Sequence, residues 1–318
     1  IYTVKMKSYL KYNAFWRNGV FMFIANNWKD YEVLDTSNGE KLERWGDFTL
    51  VRPDPQVIWD TPKTLKGWTK MNGHYHRSNK GGGEWEFFDL PKQWQIHYNS
   101  PSFEHQLTFN LKPFSFKHTG LFPEQATNWD WFGKKIADEK KANPDKTIKV
   151  LNLFAYTGGA TLACAAAGAN VTHVDASKGM VNWAKENAVS SDLADKPIRW
   201  IVDDCVKFVQ REIRRGNHYD GIIMDPPSYG RGPKGEIWKI EEAIYPLVQL
   251  CAQLLTDEPL FFLINSYTTG LQPAVLSYMI STELKKFKGK VDSQEVGLPV
   301  TSNGLVLPCG ASGRWSRE

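Results

Sequence analysis

The stretch "VLNLFAYTGGAT" (residues 150–161) decides the fold. An apolar run ends in an adjacent glycine pair, Gly158 and Gly159, and an alanine-rich helical pattern follows, which is the start of a strand–turn–helix unit. From Thr147 onward the same alternation repeats, the mark of parallel βαβ units. The pattern predicts strands over 147–155, 170–175, 198–204, 219–225 and 259–265. Helices are expected near 159–168, 177–190, 205–215, 239–255 and 271–286. The 239–255 segment sets Ile240, Ala243, Ile244, Leu247, Val248, Cys251, Leu254 and Leu255 on one face, with Pro246 either kinking that helix or starting a second one,. Two further strands, 290–297 and 303–308, close the chain with no helix between them. A terminal hairpin of this kind separates two variants of the doubly wound fold.

Upstream the texture differs. The first ~110 residues are rich in Trp, Tyr, Phe and turn residues, with strand-like runs at Tyr31–Leu34, Phe48–Val51, Glu84–Phe88 and Trp94–Tyr98,. "TSNGE" (36–40), "RPDP" (52–55) and "NKGGGE" (79–84) read as hairpin or loop chemistry. A β-rich module over 1–110 and an α/β domain over 111–318 are expected, and 318 residues suffice for both,.

Composition is that of an ordinary soluble protein, at 42% hydrophobic and 23% charged residues. The net charge of +4 fits contact with nucleic acid without requiring it,. Cys164, Cys205, Cys251 and Cys309 form no C-x-x-C pair, so neither a zinc site nor a disulfide framework is expected,. No stretch approaches the ~20 apolar residues of a membrane span, and reduced thiols fit a cytoplasmic chain. The sequence starts at Ile1 rather than Met.

In open α/β sheets a ligand sits beyond the carboxyl ends of the strands. The expected strands end there in Phe154-Ala155-Tyr156-Thr157-Gly158-Gly159, Asp175, Asp203-Asp204, Asp225-Pro226-Pro227 and Asn265-Ser266-Tyr267. Each has a plain structural alternative: a glycine pair is often a tight turn, and a strand-end carboxylate often caps the next helix, as Asp175 before Ala176-Ser177 could. Together they form a constellation. The glycines would let backbone approach a ligand, an acidic residue about 17 positions on suits a ribose diol, and Asp203/Asp204 add an acceptor for an adenine amino group. A nicotinamide dinucleotide would meet the first two conditions, but the full G-x-G-x-x-G is absent.

The segments "VLNLFAYTGGAT", "VDAS", "VDDC", "MDPPSYGRG" and "LINSYTTG", with upstream "FKHTGLFPEQ", resemble the class I S-adenosylmethionine-dependent methyltransferases. Within these they look most like the bacterial large-subunit ribosomal RNA methyltransferases that modify cytosine or guanine. The resemblance spans roughly residues 110–318 and implies a mostly parallel seven-stranded sheet with S-adenosylmethionine as cofactor. It implies that Phe154–Gly159 wrap the methionine end, that Asp175 with Ala176 and Ser177 meets the ribose, and that Asp203 or Asp204 meets the adenine. Lys117, His118, Thr119 and Gln125 become contacts from a segment folded over the cofactor. It also implies RNA as partner, and no metal.

At the acceptor end, Pro226 and Pro227 remove two backbone donors beside the Asp225 carboxylate, so the rim can hold an amino group or ring N–H. Tyr229 could stack on a base, Ser228 stands at the rim, and Arg231 and Lys234 follow in a glycine-rich loop suited to phosphates. Methylation of cytosine carbon 5 needs a cysteine nucleophile, carried in such relatives where this chain has Ser228 or Asn265. Cys164 and Cys251 fall on packed helix faces, Cys205 starts a helix that could lower its pKa, and Cys309 reads as a loop cysteine. Asp225, Pro226, Pro227, Tyr229 and Asn265 are therefore the expected catalytic set, acting on a nitrogen. A protein or small-molecule acceptor and a nicotinamide-dependent oxidoreductase are the alternatives. The aromatic and basic "GHYHRSNKGGGEW" (73–85) is either an RNA surface or the core of the β module. The oligomeric state stays open.

Overall fold

The computed structural model describes residues 21–78, 82–114, 117–231 and 237–318, with only the backbone of Arg231. Lys234 lies outside the described residues, as do Ile1–Met6.

The N-terminal part contributes strands β1 (Met22–Ile24), β2 (Tyr31–Ser37), β3 (Glu40–Trp45), β4 (Phe48–Pro53), β5 (Gly73–Arg77), β6 (Gly83–Phe87), β7 (Trp94–Tyr98) and β8 (Leu107–Leu111). Strands β2 to β6 form one sheet in chain order, and β7 and β8 pair as a hairpin. The "TSNGE" turn behaves as expected: Asn38 and Gly39 both take positive φ, at 50° and 78°, the two-residue turn whose twist suits a hairpin. Strands β3 and β5 escaped the sequence reading because charged and histidine residues interrupt their apolar alternation.

Helix α1 (Ala126–Ala142) was also not foreseen, because Gly133 and a dense run of charges mask its period. Trp129, Phe132 and Ile136 nevertheless share a buried face at helical spacing,. Phe132 stacks on Phe261 at 5.7 Å, and truncating such a ring to Ala costs about 3–5 kcal/mol.

The alternating part follows as β9 (Lys149–Leu153), α2 (Gly159–Ala166), β10 (Asn170–Asp175), α3 (Lys178–Ser190), β11 (Ile198–Val202), α4 (Cys205–Arg214) and β12 (Gly221–Met224). A small hairpin, β13 (Tyr229–Arg231) and β14 (Ile237–Lys239), precedes α5 (Ile240–Ala252), β15 (Phe261–Ser266), α6 (Pro273–Glu283), β16 (Gly289–Pro299) and β17 (Val306–Arg317). Pro246 sits inside α5 without dividing it. The last strand starts three residues later than expected and runs to Arg317, so Cys309 belongs to β17 and not to a loop.

The main sheet has the order β1-β16-β17-β15-β12-β9-β10-β11. Strand β17 is antiparallel to both neighbours, whereas β9 to β12 and β15 are parallel among themselves. Seven strands follow the expected plan, and β1 adds an eighth by pairing in parallel with β16. The strand order reverses between β9 and β12, so the carboxyl ends of β9, β10, β12 and β15 open onto one crevice.

Candidate active site

A cavity of about 460 Å³ fills that crevice. Its walls include His118, Phe122, Gln125, Phe154–Thr157, Gly159, Asp175–Ser177, Asp204, Asp225–Ser228 and Asn265. Most of the residues singled out from the sequence therefore meet here.

One half is built on backbone. After β9 the chain turns with Phe154 at φ 55°, Tyr156 at φ 50° and Gly158 at φ 88°. Left-handed geometry costs a non-glycine residue about 1–2 kcal/mol. Local hydrogen bonds offset it: Phe154 N–H donates to Cys205 Sγ at 3.3 Å, Ala155 N–H to the Val174 carbonyl at 3.1 Å, and Tyr156 N–H to Asp175 Oδ2 at 2.8 Å. The other Asp175 oxygen accepts from Ser177 N–H at 2.8 Å. Asp175 is thus a strand-end carboxylate fixed by two amides, and the cap of α3 is Ser177. Burial holds the Asp175 carboxyl above its ordinary value even so. Each oxygen accepts one of these bonds and can accept another, and Asp175 lines the cavity,.

The glycine pair also serves the packing of the helices. A Cβ on Gly158 would lie 2.9 Å from Ala184 Cβ, and one on Gly159 2.8 Å from the Trp129 ring. Close packing of α2 against α3 and α1 therefore demands both glycines, although Gly159 also lines the cavity. Asp204 lines it too while capping α4 through Lys207 N–H at 2.8 Å. Asp203 is engaged by Arg211 and by Asp204 N–H and is not part of the wall.

The segment 117–125 forms the roof. Thr157 Oγ1 donates to the Gly120 carbonyl at 2.6 Å, and Gly120, at φ 100°, passes against Trp183 where a Cβ would sit 2.3 Å from the ring. His118 lines the cavity and is neutral, because burial and the positive charge of Arg52 push its pKa down to about 4. Lys117 and Thr119 are not wall residues. Lys117 Nζ donates to the Pro53 carbonyl at 2.9 Å and Arg52 donates to the Lys117 carbonyl at 2.9 Å, which ties the roof to β4. Burial lowers the Lys117 pKa to about 8.

The other half is built on side chains. Asn265 is 3% exposed. Its amide donates to Gln125 Oε1 at 2.8 Å, and its oxygen accepts from Ser312 at 2.7 Å and Asn128 at 3.1 Å. Gln125 donates to the Tyr267 hydroxyl at 2.6 Å, which donates to Glu124 at 3.1 Å. Arg314 Nε donates to Asn128 Oδ1 at 2.8 Å and closes the network beneath. Asp225 rests on this network through Asn265. Burial, followed by the charge of Glu124, raises its pKa to about 7, opposed by the Asn265 hydrogen bond. Burial holds Glu124 above its ordinary value as well.

The proline rim is less bare than expected, since Trp238 Nε1–H donates to the Pro227 carbonyl at 2.6 Å. Ser228 exchanges a hydrogen bond with Thr268 at 2.5 Å. Tyr229 lies in β13, 51% exposed and outside the wall. Trp238 and Phe122 are wall aromatics that the sequence reading did not assign to the site, and Tyr267, at the end of its strand, lines it with them. Trp238 packs on Phe154 at 5.1 Å, and Phe122 lies 5.6 Å from Tyr156 and 5.8 Å from Tyr267. Trp238 follows the "DPPSYGRG" segment closely enough to be suspected from sequence, whereas Asn128 and Ser312 give no local signal.

The thiols differ from expectation at one point. Cys205 does start a helix, but burial raises its pKa instead of the helix lowering it. Cys164, Cys251 and Cys309 are likewise raised by burial. Among the described residues no group of three or more His, Cys, Asp or Glu is placed to hold a metal, and no helix is long and apolar enough to cross a membrane.

A crevice with the Asp175 carboxylate, apolar walls from Phe154, Val206 and Trp238 beside Asp204, and a carboxyl acceptor at Asp225 suits a nucleoside bearing a charged amino-acid tail,. Known proteins agree with that shape. Residues 74–241 match the family described as S-adenosylmethionine-dependent methyltransferase. A solved S-adenosylmethionine-dependent methyltransferase from Agrobacterium tumefaciens superposes with a TM-score of 0.83 at 33% identity, covering 97% of this chain and 99% of that one. A Streptococcus mutans protein at 17% identity and TM-score 0.68, covering 92% of this chain and 76% of that one, shares the fold. Curated relatives carry the name ribosomal RNA large subunit methyltransferase K/L, two of them from Shewanella sp. (strain MR-4) and Colwellia psychrerythraea. The one from Shewanella sp. (strain MR-4) is 33% identical over 42% of this chain, and the one from Colwellia psychrerythraea is 28% identical over 57%. The matched stretch covers only 18% and 23% of their own lengths. The chain belongs to the S-adenosylmethionine-dependent methyltransferases, and S-adenosylmethionine is its cofactor.

Proposed function

We propose that this methyltransferase acts on a nitrogen atom of a base in RNA, with ribosomal RNA the substrate class suggested by the names of its curated relatives. The family assignment removes the oxidoreductase alternative. The observation that carries the nitrogen reading is Asp225: a carboxyl with a pKa of about 7 on the cavity wall, with no ionisable thiol beside it. Cys205, the wall cysteine, is raised by burial and accepts a backbone hydrogen bond.

In this reading Phe154, Ala155, Tyr156, Thr157 and Gly159 close on the methionine end, with Gly158 setting the turn. Asp175, Ala176 and Ser177 meet the ribose, and Asp204, backed by Asp203, meets the adenine. His118 and Gln125 cover the cofactor, while Lys117 and Thr119 anchor their segment. The cofactor supplies an electrophilic methyl group on a sulfonium. The protein's part is to aim the acceptor lone pair and exclude water. Asp225 and the Pro226-Pro227 rim accept hydrogen bonds from the amino group, and Asn265 fixes the carboxyl. As the nitrogen is alkylated it becomes acidic, and the Asp225 carboxylate takes its proton. Ser228, Tyr229, Arg231 and Lys234 would meet the neighbouring nucleotides.

Nucleoside mass spectrometry of RNA from cells with and without the gene tests this. Loss of one base N-methylated nucleoside is expected. Loss of 5-methylcytosine would overturn the nitrogen acceptor. Loss of no nucleoside would overturn RNA in favour of a protein or small-molecule acceptor.

A further inference from the structure

Strand β6 is an edge of the five-stranded sheet, and its residues are sorted by face. Gly83, Trp85 and Phe87 lie opposite Arg77, Tyr75 and Gly73 of β5 on one face, while Glu84 and Glu86 lie opposite His76 and His74 on the other,. The strand's carboxylates therefore sit on the reverse side, where Glu86 meets His76 at 2.8 Å. The obverse is aromatic. Trp85 meets Tyr75 edge-on at 5.5 Å and lies nearly parallel to Phe87, with centroids 6.1 Å apart and planes 8° apart. Its indole N–H donates to the Phe114 carbonyl at 3.2 Å. Phe87 is 54% and Phe114 38% exposed. Lys112 holds its ammonium 4.3 Å over the Trp183 ring, which Phe114 also meets edge-on.

This ledge runs into the active site. Phe114 N–H donates to the His118 carbonyl at 3.0 Å and Lys112 N–H to the Thr119 carbonyl at 3.2 Å, and His118 is a cavity wall. A strand of nucleic acid with one base in the cavity would lay its neighbours along Phe114, Trp85 and Phe87. Aromatic faces flanked by Arg77 and Lys112, with the acidic side chains turned to the reverse, match a polyanion whose every base has a π-face. An aliphatic protein-docking patch would lack both the cations and the charge sorting.

We propose that Trp85, Phe87 and Phe114, with Arg77 and Lys112, form the grip for single-stranded RNA next to the target base. This rests on the RNA reading above and specifies where the RNA lies. The test is fluorescence anisotropy with a 5′-fluorescein oligouridylate of roughly a dozen nucleotides, with calorimetry of S-adenosylhomocysteine binding on the same samples. The Phe87→Ala/Phe114→Ala double variant is expected to lose RNA affinity by roughly tenfold or more, since each stacked base contributes substantially. Arg77→Ala should weaken binding and reduce the salt slope by about one. Both variants should bind S-adenosylhomocysteine as the parent does, which reports an intact fold. Parent-like RNA binding by the double variant would overturn the ledge and leave the RNA reading standing. A parent protein that binds S-adenosylhomocysteine but no RNA would overturn both. Self-association in sedimentation that the double variant abolishes, without RNA binding, would assign the ledge to a second copy of the chain and overturn the proposal.

Discussion

Asp175 and Asp225 end neighbouring parts of one sheet and line one cavity, yet they are held in opposite ways. Asp175 is fixed by two backbone amides, Tyr156 N–H of the turn after β9 and Ser177 N–H of its own turn. Asp225 is fixed by a side chain, Asn265, which is itself held by Gln125, Asn128 and Ser312 from distant parts of the chain. Amide bonds follow from the local fold and favour the charged form, so they work against burial at Asp175. Side-chain bonds leave Asp225 to burial and to Glu124, and its pKa moves to about 7. The half proposed to hold the cofactor is wired by backbone; the half proposed for the chemistry is wired by groups whose charge can be tuned.

Removing the tuned carboxylate should have the largest effect. Asp225→Ala is expected to lower kcat by about 10³-fold, within the range for a positioned proton acceptor, with S-adenosylhomocysteine affinity nearly unchanged in calorimetry. A variant that keeps its turnover would erase the contrast between the halves. Asp175→Ala should do the reverse, weakening S-adenosylhomocysteine binding by roughly 10- to 100-fold, as expected for hydrogen bonds to a charged group worth about 1.5–3 kcal/mol. If kcat at saturating cofactor falls as far as for Asp225→Ala, the two aspartates do not divide the work.

The turn itself predicts a stability effect. Gly159→Ala drives a Cβ to 2.8 Å from Trp129, and overpacking of this kind costs about 1–3 kcal/mol, to be read as a lower denaturant midpoint at unchanged slope. Two pH measurements sharpen the acceptor half. The folded Asp225 pKa lies above its unfolded value of about 3.9, so the folded state binds the extra proton between about pH 4 and 7 and loses stability as pH rises through that window. Asp225→Asn should therefore match the parent near pH 4 and melt higher than the parent above pH 7. Smallest is Glu124→Gln: removing a charge that raises the Asp225 pKa should move the midpoint of the kcat–pH profile down, by less than about one pH unit. An unmoved midpoint would mean that burial alone sets Asp225.

Local grammar made much of this legible. The strands from Val150 to Ser266 and the helices between them were readable because each βα unit repeats a short apolar run, a turn and an amphipathic stretch. The residues at the strand ends followed from that register. Where several parts of the chain compete, the reading failed. Strands β3 and β5 carry charged and histidine residues with partners in other parts of the fold, such as His74 with Glu40 at 2.6 Å. Helix α1 hides its apolar face among lysines. The helix-start position of Cys205 suggested a lowered pKa, but its surroundings bury the sulfur, and desolvation outweighs the helix end,.

The sequence by itself determined the doubly wound order, the turn after β9 and the carboxylates at the strand ends, because strand period, glycine spacing and proline chemistry act over a few residues. Tertiary structure alone decided what those groups became. It turned the glycine pair into a packing contact with Ala184 and Trp129, joined the roof segment to β4 through Arg52, and assembled Glu124, Gln125, Asn128, Asn265, Tyr267 and Ser312 around Asp225. Burial and charge at a point depend on every chain segment that reaches it, and these segments lie up to 188 residues apart, from Glu124 to Ser312.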